Sequence, residues 1–319
     1  MVNKIIKIIS GKDLVLYNRH RQSIPVVNNN INRKKYFFIE VSRFWRMIPY
    51  RSHNKRKYRI MFLLLNLLNP RFIIDINWIS PYDSVYKLWT KKHTGSKFIV
   101  IQHGAYVGGI VTDIAHRYTK CDIFLTWGNY FTQMFKSYNQ GKEIQIQSFG
   151  NPIYNDFNRQ DFKYINIRTN KILLAPSAIK GSRLKALIIL HRKLIQLGFD
   201  VSLKEHVFQT KFFEEITEIP KIHGNTFEIL RQRKYDLILT DHSTLLLDAI
   251  FFKNKVLYFS GPGEIDEYQN NFFTSKLKNY YTELIDVNSK MDVYNKVDMK
   301  AQETLFENMI DPGNNVLNF

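Results

Sequence analysis

The stretch DLILTDHSTLLLDAI, Asp236 to Ile250, reads as an apolar run of strand length, a four-residue polar turn, and a second apolar run at helical spacing. Leu237 to Leu239 has the bulk of a strand buried on both faces, which argues for a parallel sheet. Asp241 and His242 then break the run, and Ser243 and Thr244 stand where a helix N-cap belongs. A strand that passes directly into a helix is half of a βαβ unit, and that unit commits the chain to parallel α/β architecture.

The same rhythm continues outward in both directions. KVLYFS (Lys255 to Ser260) follows as a strand, and a helix near Phe227 to Arg233 precedes the opening stretch. Further upstream come KILLAPS (Lys171 to Ser177), a helix over about Ser182 to Gln196 closed by Gly198, and DVSLKEH (Asp200 to His206). An earlier series reads FIIDIN (Phe72 to Asn77), a helix from PYDSVYKLW, KFIVIQ (Lys97 to Gln102), CDIFLTW (Cys121 to Trp127), a helix over about Asn129 to Tyr138, and EIQIQSF (Glu143 to Phe149). Between the two series lies GNPIYND, Gly150 to Asp156, which has the composition of a hinge. Two runs of one pattern in 319 residues predict twin Rossmann-like domains, 1–152 and 153–319, facing each other across a cleft. A final helix is expected between about Lys300 and Leu317, packing back toward the first domain.

Composition narrows the setting. Hydrophobic residues make up 45% of the chain, with 24 Phe and 18 Tyr, so large cores are expected. Cys121 is the one cysteine, which rules out an internal disulfide and a cysteine metal cluster and fits a reducing compartment. The N-terminus MVNKIIKIIS lacks the apolar core of a secretory signal, so a cytoplasmic location is expected. Ile60 to Leu68 is too short to span a bilayer and reads as a core helix or strand. The net charge of +18 favours polyanionic partners. Ten Lys or Arg residues fall between Ile31 and Ile60 against one acid, Glu40, and Tyr36, Phe37, Phe38, Phe44, Trp45 and Tyr50 are interleaved with them. That mixture suits either a segment resting on an anionic membrane surface or a solvated basic face. Nucleic acid is not expected as a partner, because no helix-turn-helix, zinc-finger spacing or RNP-type motif occurs.

In open α/β sheets, ligands lie beyond the carboxyl ends of the strands, which singles out four places. At Asp241-His242-Ser243-Thr244, hydroxyls and helix N-terminal N–H groups together suit a phosphate, with Asp248 one turn further on. A plain helix N-cap would use the same residues, so this turn alone leaves both readings open. In QHGAYVGG, His103 follows a buried strand and Gly104 lets backbone approach a ligand; such a histidine suits a general base or a phosphate donor, or serves structure alone. Asp113 and His116 are weaker candidates nearby. Lys204 and His206 end a strand of the second domain, and Ser177, Lys180 and Arg183 follow another; all are suited to a diphosphate or a ribose. No Asp-x-Asp, no G-x-x-x-x-G-K-[ST] and no G-x-G-x-x-G occurs, which argues against metal-chelating sugar transferases, P-loop NTPases and ordinary dehydrogenases. No metal or organic cofactor is expected; helix dipole, His, Lys and hydroxyl groups suffice to stabilise a leaving anion.

Taken in order, QHG at Gln102, TWGNYFTQMF at Thr126, GNPIYND at Gly150, ILLAPS at Ile172, KEH at Lys204 and TDHSTLLLDAIFFKNKVLYF at Thr240 resemble the CDP-glycerol glycerophosphotransferase family of wall teichoic acid polymerases. They also resemble the related capsule-type Kdo and sialic acid transferases. The resemblance covers roughly residues 97 to 260 and implies the GT-B fold, with an N-terminal acceptor-side domain and a C-terminal nucleotide-donor domain. It further implies that His103 lies near the acceptor, and that His206, Ser243 and Thr244 contact the donor's phosphates. The chain departs from the family pattern at His206-Val207, where His-Pro is usual, and at Ser243-Thr244, where Ser-Ser is usual. The implied partners are a nucleotide-activated donor, a glycan or lipid-linked acceptor, and an anionic membrane surface. Two other readings remain open: a nucleotide-sugar 2-epimerase, and a non-catalytic component of a polysaccharide assembly complex.

Overall fold

The computed structural model describes residues 11–19, 34–41, 55–76, 81–104, 119–165, 168–176, 182–205, 219–240, 244–258 and 287–311, with six single positions among the first 26. Two compact units divide the chain: one holds the described residues up to Gly104, then 119–157 and 308–311, and the other holds 158–307.

In the first unit the described elements are β1 (Asp13–Tyr17), β2 (Tyr36–Glu40), α1 (Lys55–Leu68), β3 (Phe72–Asp75), α2 (Pro81–Lys92), β4 (Lys97–Ile101), β5 (Ile123–Thr126), α3 (Asn129–Tyr138) and β6 (Gln145–Ser148). Their strands form one parallel sheet in the order β2-β1-β3-β4-β5-β6. β3 and β5 are buried along their whole length, as expected of central parallel strands with covered faces. β1 and β2 were not anticipated from the sequence. Basic residues flank both, so their composition resembles that of a surface segment, but pairing with β3 through β1 places them in the sheet. Tyr36 and Phe38 pack against the core, and Tyr36 meets Phe72 edge-on at 5.5 Å; Phe37 points to solvent. Of the basic aromatic stretch over 31–60, residues 36–40 form an edge strand and 55–60 begin α1, while 31–33 and 42–54 lie outside the described residues.

The second unit contains β7 (Lys171–Leu174), α4 (Ser182–Gln196), β8 (Asp200–Lys204), β9 (Lys221–Ile222), α5 (Thr226–Gln232), β10 (Leu237–Thr240), α6 (Leu245–Phe251), β11 (Val256–Tyr258) and α7 (Lys290–Asn295). The order of its parallel sheet is β11-β10-β7-β8-β9. α4 closes as predicted: Gly198 takes φ +83°, and the Phe199 N–H donates to the Leu194 carbonyl at 3.0 Å. A last helix, α8 (Met299–Met309), matches the start of the expected C-terminal helix. Among the described residues no helix is long and apolar enough to cross a membrane.

Two carboxylates brace the second unit. Asp236 accepts from Tyr294 Oη at 2.6 Å, from Thr169 N and Oγ1, and from Asn170 N. Glu303 accepts from Arg159, Lys253 and Tyr164. Burial pushes both carboxyls upward, but the donors around each outweigh it and hold both below their ordinary value. A depressed folded pKa contributes stability that is complete above the unfolded value, about 4, and is lost as pH falls through the folded one. The melting temperature should therefore fall on acidification below about pH 4. Glu303→Gln should reduce that dependence, and an unchanged acid slope would contradict the assignment.

Gly128 is required for space. A Cβ there would come within 2.7 Å of the Met309 carbonyl carbon and closer still to its oxygen, where the Asp311 N–H reaches the Trp127 carbonyl at 2.9 Å. Gly128→Ala should cost about 1–3 kcal/mol, read as a lowered melting temperature.

Candidate functional site

In each sheet the strand order reverses once, and ligands favour the carboxyl ends at such a reversal. In the first unit it lies between β1 and β3, and in the second between β7 and β10.

At the first reversal the chain leaves β1 at Asn18, whose N–H donates to the Ile74 carbonyl at 3.0 Å and whose amide donates to Asp75 Oδ2. The other Asp75 oxygen accepts from Ile76 N at 2.7 Å. Ser23 Oγ donates to the Asn18 carbonyl at 2.6 Å. Asp75 is only 4% exposed, so these donors are what make a carboxylate tolerable there. His103, beyond β4, sets Nδ1 3.0 Å from the Ile76 carbonyl oxygen. A carbonyl only accepts, so Nδ1 carries a proton, and whenever the ring is neutral its lone pair sits on Nε2.

Gln102 holds that histidine's backbone. It is wholly buried; its Oε1 accepts from Trp127 N and its carbonyl from Trp127 Nε1, both at 2.8 Å. Its amide donates to the Gly104 carbonyl at 2.8 Å, and its N–H to the Leu125 carbonyl at 2.9 Å. The His103-Gly104 turn is thus tied to β3 on one side and to the end of β5 on the other.

At the second reversal Ala175 N donates to the Leu239 carbonyl at 2.8 Å, and the buried Thr240 hydroxyl donates to the Ala175 carbonyl at 2.9 Å. This joins the carboxyl ends of β7 and β10. Thr244 occupies the N-cap of α6 with backbone at φ −53°, ψ −25° and no side-chain capping bond, so the plain N-cap reading does not describe its hydroxyl. Its carbonyl accepts from Leu247 N at 3.0 Å. Asp248 is buried at 4% exposure, which removes a solvated surface role. Lys204 is half-buried at the end of β8 and donates to the Glu205 carbonyl at 3.2 Å; Glu205 pairs with Lys221 at 3.0 Å.

His103 and Gly104 belong to the first unit, and Lys204, Thr244 and Asp248 to the second. Ser177, Lys180, His206, Asp241, His242 and Ser243, with Asp113 and His116, lie outside the described residues. Asn18 and Asp75 were not anticipated as site residues. The available signal was an acid ending the buried run FIID, where a polar residue at a carboxyl strand end needs a reason. Long-range ¹H–¹⁵N spectra of the labelled protein should show His103 as the Nδ1–H tautomer; an Nε2–H tautomer would contradict the bond to Ile76.

No protein-family model matches the chain, and no curated protein matches it. Among solved structures it is similar to an S. aureus MnaA–UDP complex, at 13% identity over 95% of this chain and 93% of that one, with a TM-score of 0.56. It is also similar to a putative UDP-N-acetylglucosamine 2-epimerase from Listeria monocytogenes, at 12% identity, 95% and 93% coverage and a TM-score of 0.55. A variant of the wall teichoic acid polymerase TagF shows 14% identity, 95% and 85% coverage and a TM-score of 0.55. At such identities the likeness is one of fold: two parallel-sheet α/β domains of the GT-B class.

Proposed function

We propose that the chain is a transferase that moves a sugar or polyol phosphate from a CDP-, CMP- or UDP-linked donor to a hydroxyl of a bacterial surface glycan or its lipid-linked precursor. Transfer inverts the reacting centre and uses no metal. The first unit takes the acceptor and the second the donor nucleotide. The observation that carries the reading is the Nδ1 bond of His103 to the Ile76 carbonyl at 3.0 Å, at the strand-order reversal. It leaves Nε2 as the basic atom of a ring whose orientation is set before substrate arrives.

In the proposed step the acceptor hydroxyl gives its proton to His103 Nε2 as its oxygen attacks the donor's anomeric carbon, or the distal phosphorus of a polyol-phosphate donor. The bond to the nucleotide breaks, and the departing phosphate carries the negative charge. Lys204, His206, Ser243 and Thr244, with the α6 N-terminus, stabilise that charge, and Gly104 and the loop of Ser177 and Lys180 complete the donor contacts. Asp241, His242 and Asp248 belong to the same nucleotide-binding group. The wall teichoic acid polymerase and the UDP complex among the similar structures support a nucleotide-activated donor.

The Listeria monocytogenes likeness favours one other reading, a nucleotide-sugar 2-epimerase that needs no acceptor. Thermal-shift measurements with CDP, CMP, UDP and GDP identify the base, because a bound nucleotide stabilises the fold. With that donor, His103→Ala should lower transfer about 10²–10⁴-fold at an unchanged melting temperature. Full transfer by His103→Ala would refute the base assignment, and epimerised donor with no acceptor present would establish the second reading.

A further inference from the structure

The amino ends of the first sheet's strands carry a pattern that the proposed reaction does not use. A basic residue stands at or just before the start of each of its six described strands. Lys35 precedes β2, Lys12 precedes β1, Arg71 precedes β3, Lys97 opens β4, and Lys120 and Lys142 lie within three residues of β5 and β6. The described strands of the second sheet show no such row, since Asp200 opens β8 and Asp236 directly precedes β10. Neighbouring strands lie about 4.8 Å apart, so six in succession spread these charges over about 24 Å. Backbone bonds hold the strand heads side by side: Arg71 N donates to the Leu14 carbonyl at 2.7 Å, and Lys97 N to the Arg71 carbonyl at 3.0 Å.

Two clefts open along the row. One of about 690 Å³ is walled by Arg71, Lys92 and His93, and one of about 560 Å³ by Lys97, Lys120 and Lys142; both include Thr94 and Ser96, so they run into each other. Three acids line them, and two are matched by lysines outside the row: Asp13 by Lys7 at 3.1 Å and Asp122 by Lys87. Glu143 is left against the whole series. The rings here are engaged with other rings, Tyr36 with Phe72 at 5.5 Å and His93 with Trp89 at 4.2 Å, and so offer no platform on which bases would stack. The apolar side that α1 leaves exposed, Leu63 and Leu67 among it, lines neither cleft; the run expected to be core is two-faced but adds no apolar surface to the row.

We propose that this row binds a linear polyanion without bases, a chain whose phosphate or carboxylate groups recur along a flexible backbone. Like charges held at strand spacing repel one another, and an anion laid across them relieves that repulsion. A single phosphate reaches one or two strand heads, whereas a chain meets them in succession. The row lies at the end of the sheet away from Asn18, Asp75 and His103, so a bound chain leaves that edge open. The inference goes beyond the transfer reading and does not depend on it.

Inorganic polyphosphate is a suitable probe, because it carries charge without bases or lipid. In calorimetric titrations of the full chain, long polyphosphate should bind at least about tenfold more tightly than pyrophosphate, and added salt should weaken the binding. Lys97→Glu with Lys120→Glu should reduce the affinity about tenfold at an unchanged melting temperature. Lys234→Glu with Lys300→Glu makes the same change in net charge on exposed positions of the second unit and should alter the affinity less than about twofold. Pyrophosphate bound as tightly as the long chain, or an equal loss in the two variants, would overturn the proposal. So would equal affinity for an oligothymidylate of matched charge, which would mark a nucleic-acid surface. Thermal shift with nucleotides, measured without polyphosphate, reports on the transfer reading separately.

Discussion

Backbone groups at the carboxyl end of a buried parallel strand run out of ladder partners, and burial makes each unmet group costly. In the first unit side chains meet this need. Gln102 is spent entirely on the turn that follows β4 and on Trp127, and Asp75 on Asn18 and Ile76. His103 is then oriented in part by its Nδ1 bond to the Ile76 carbonyl. The ordering of the catalytic candidate is thus a by-product of satisfying strand ends. A site assembled in this way tolerates little change in the three strands that supply it.

The second unit solves the same problem with smaller groups. The Thr240 hydroxyl bridges to the Ala175 carbonyl and holds the two strand ends at the reversal together, so the turn into α6 starts from a fixed base. Farther away, Asp236 and Glu303 gather hydrogen bonds from segments distant in sequence, Thr169 and Tyr294 for one and Arg159 and Lys253 for the other. These clusters hold surrounding segments in place away from the strand ends at the reversal.

Much of the alternation was legible because apolar runs of strand length and helical runs differ in period, and among the described elements from Phe72 to Tyr258 this held for all the longer strands and α-helices but missed the two-residue β9. Asp13–Tyr17 and Tyr36–Glu40 were not legible. Each is a five-residue run amid basic residues, and only pairing across 20 or more positions of sequence makes it a strand. For the same reason Asn18 and Asp75 escaped notice: neither belongs to a local motif, and their meaning comes from the adjacency of β1 and β3. His103 and Thr244 were legible because each directly follows a strand or opens a helix, a feature visible in one dimension. The exposed side of α1 was hidden because a run such as MFLLLNLL is apolar on every face, and its partners alone decide which face is covered.

A parallel sheet has two unlike edges. At the carboxyl edge of the first sheet, polar side chains are buried, mutually bonded and few, the condition under which a single histidine can be oriented. At the amino edge, lysines are numerous and mostly exposed, and several are held by a neighbour: Lys87 by Asp122, Lys120 by Ser84 and Lys142 by Asn139. Their field acts at a distance and needs no precise placement. The same +18 charge therefore does not indicate one function spread over the surface. Part of it lines two clefts at the end of the first sheet away from His103, around the starts of β3 and β4.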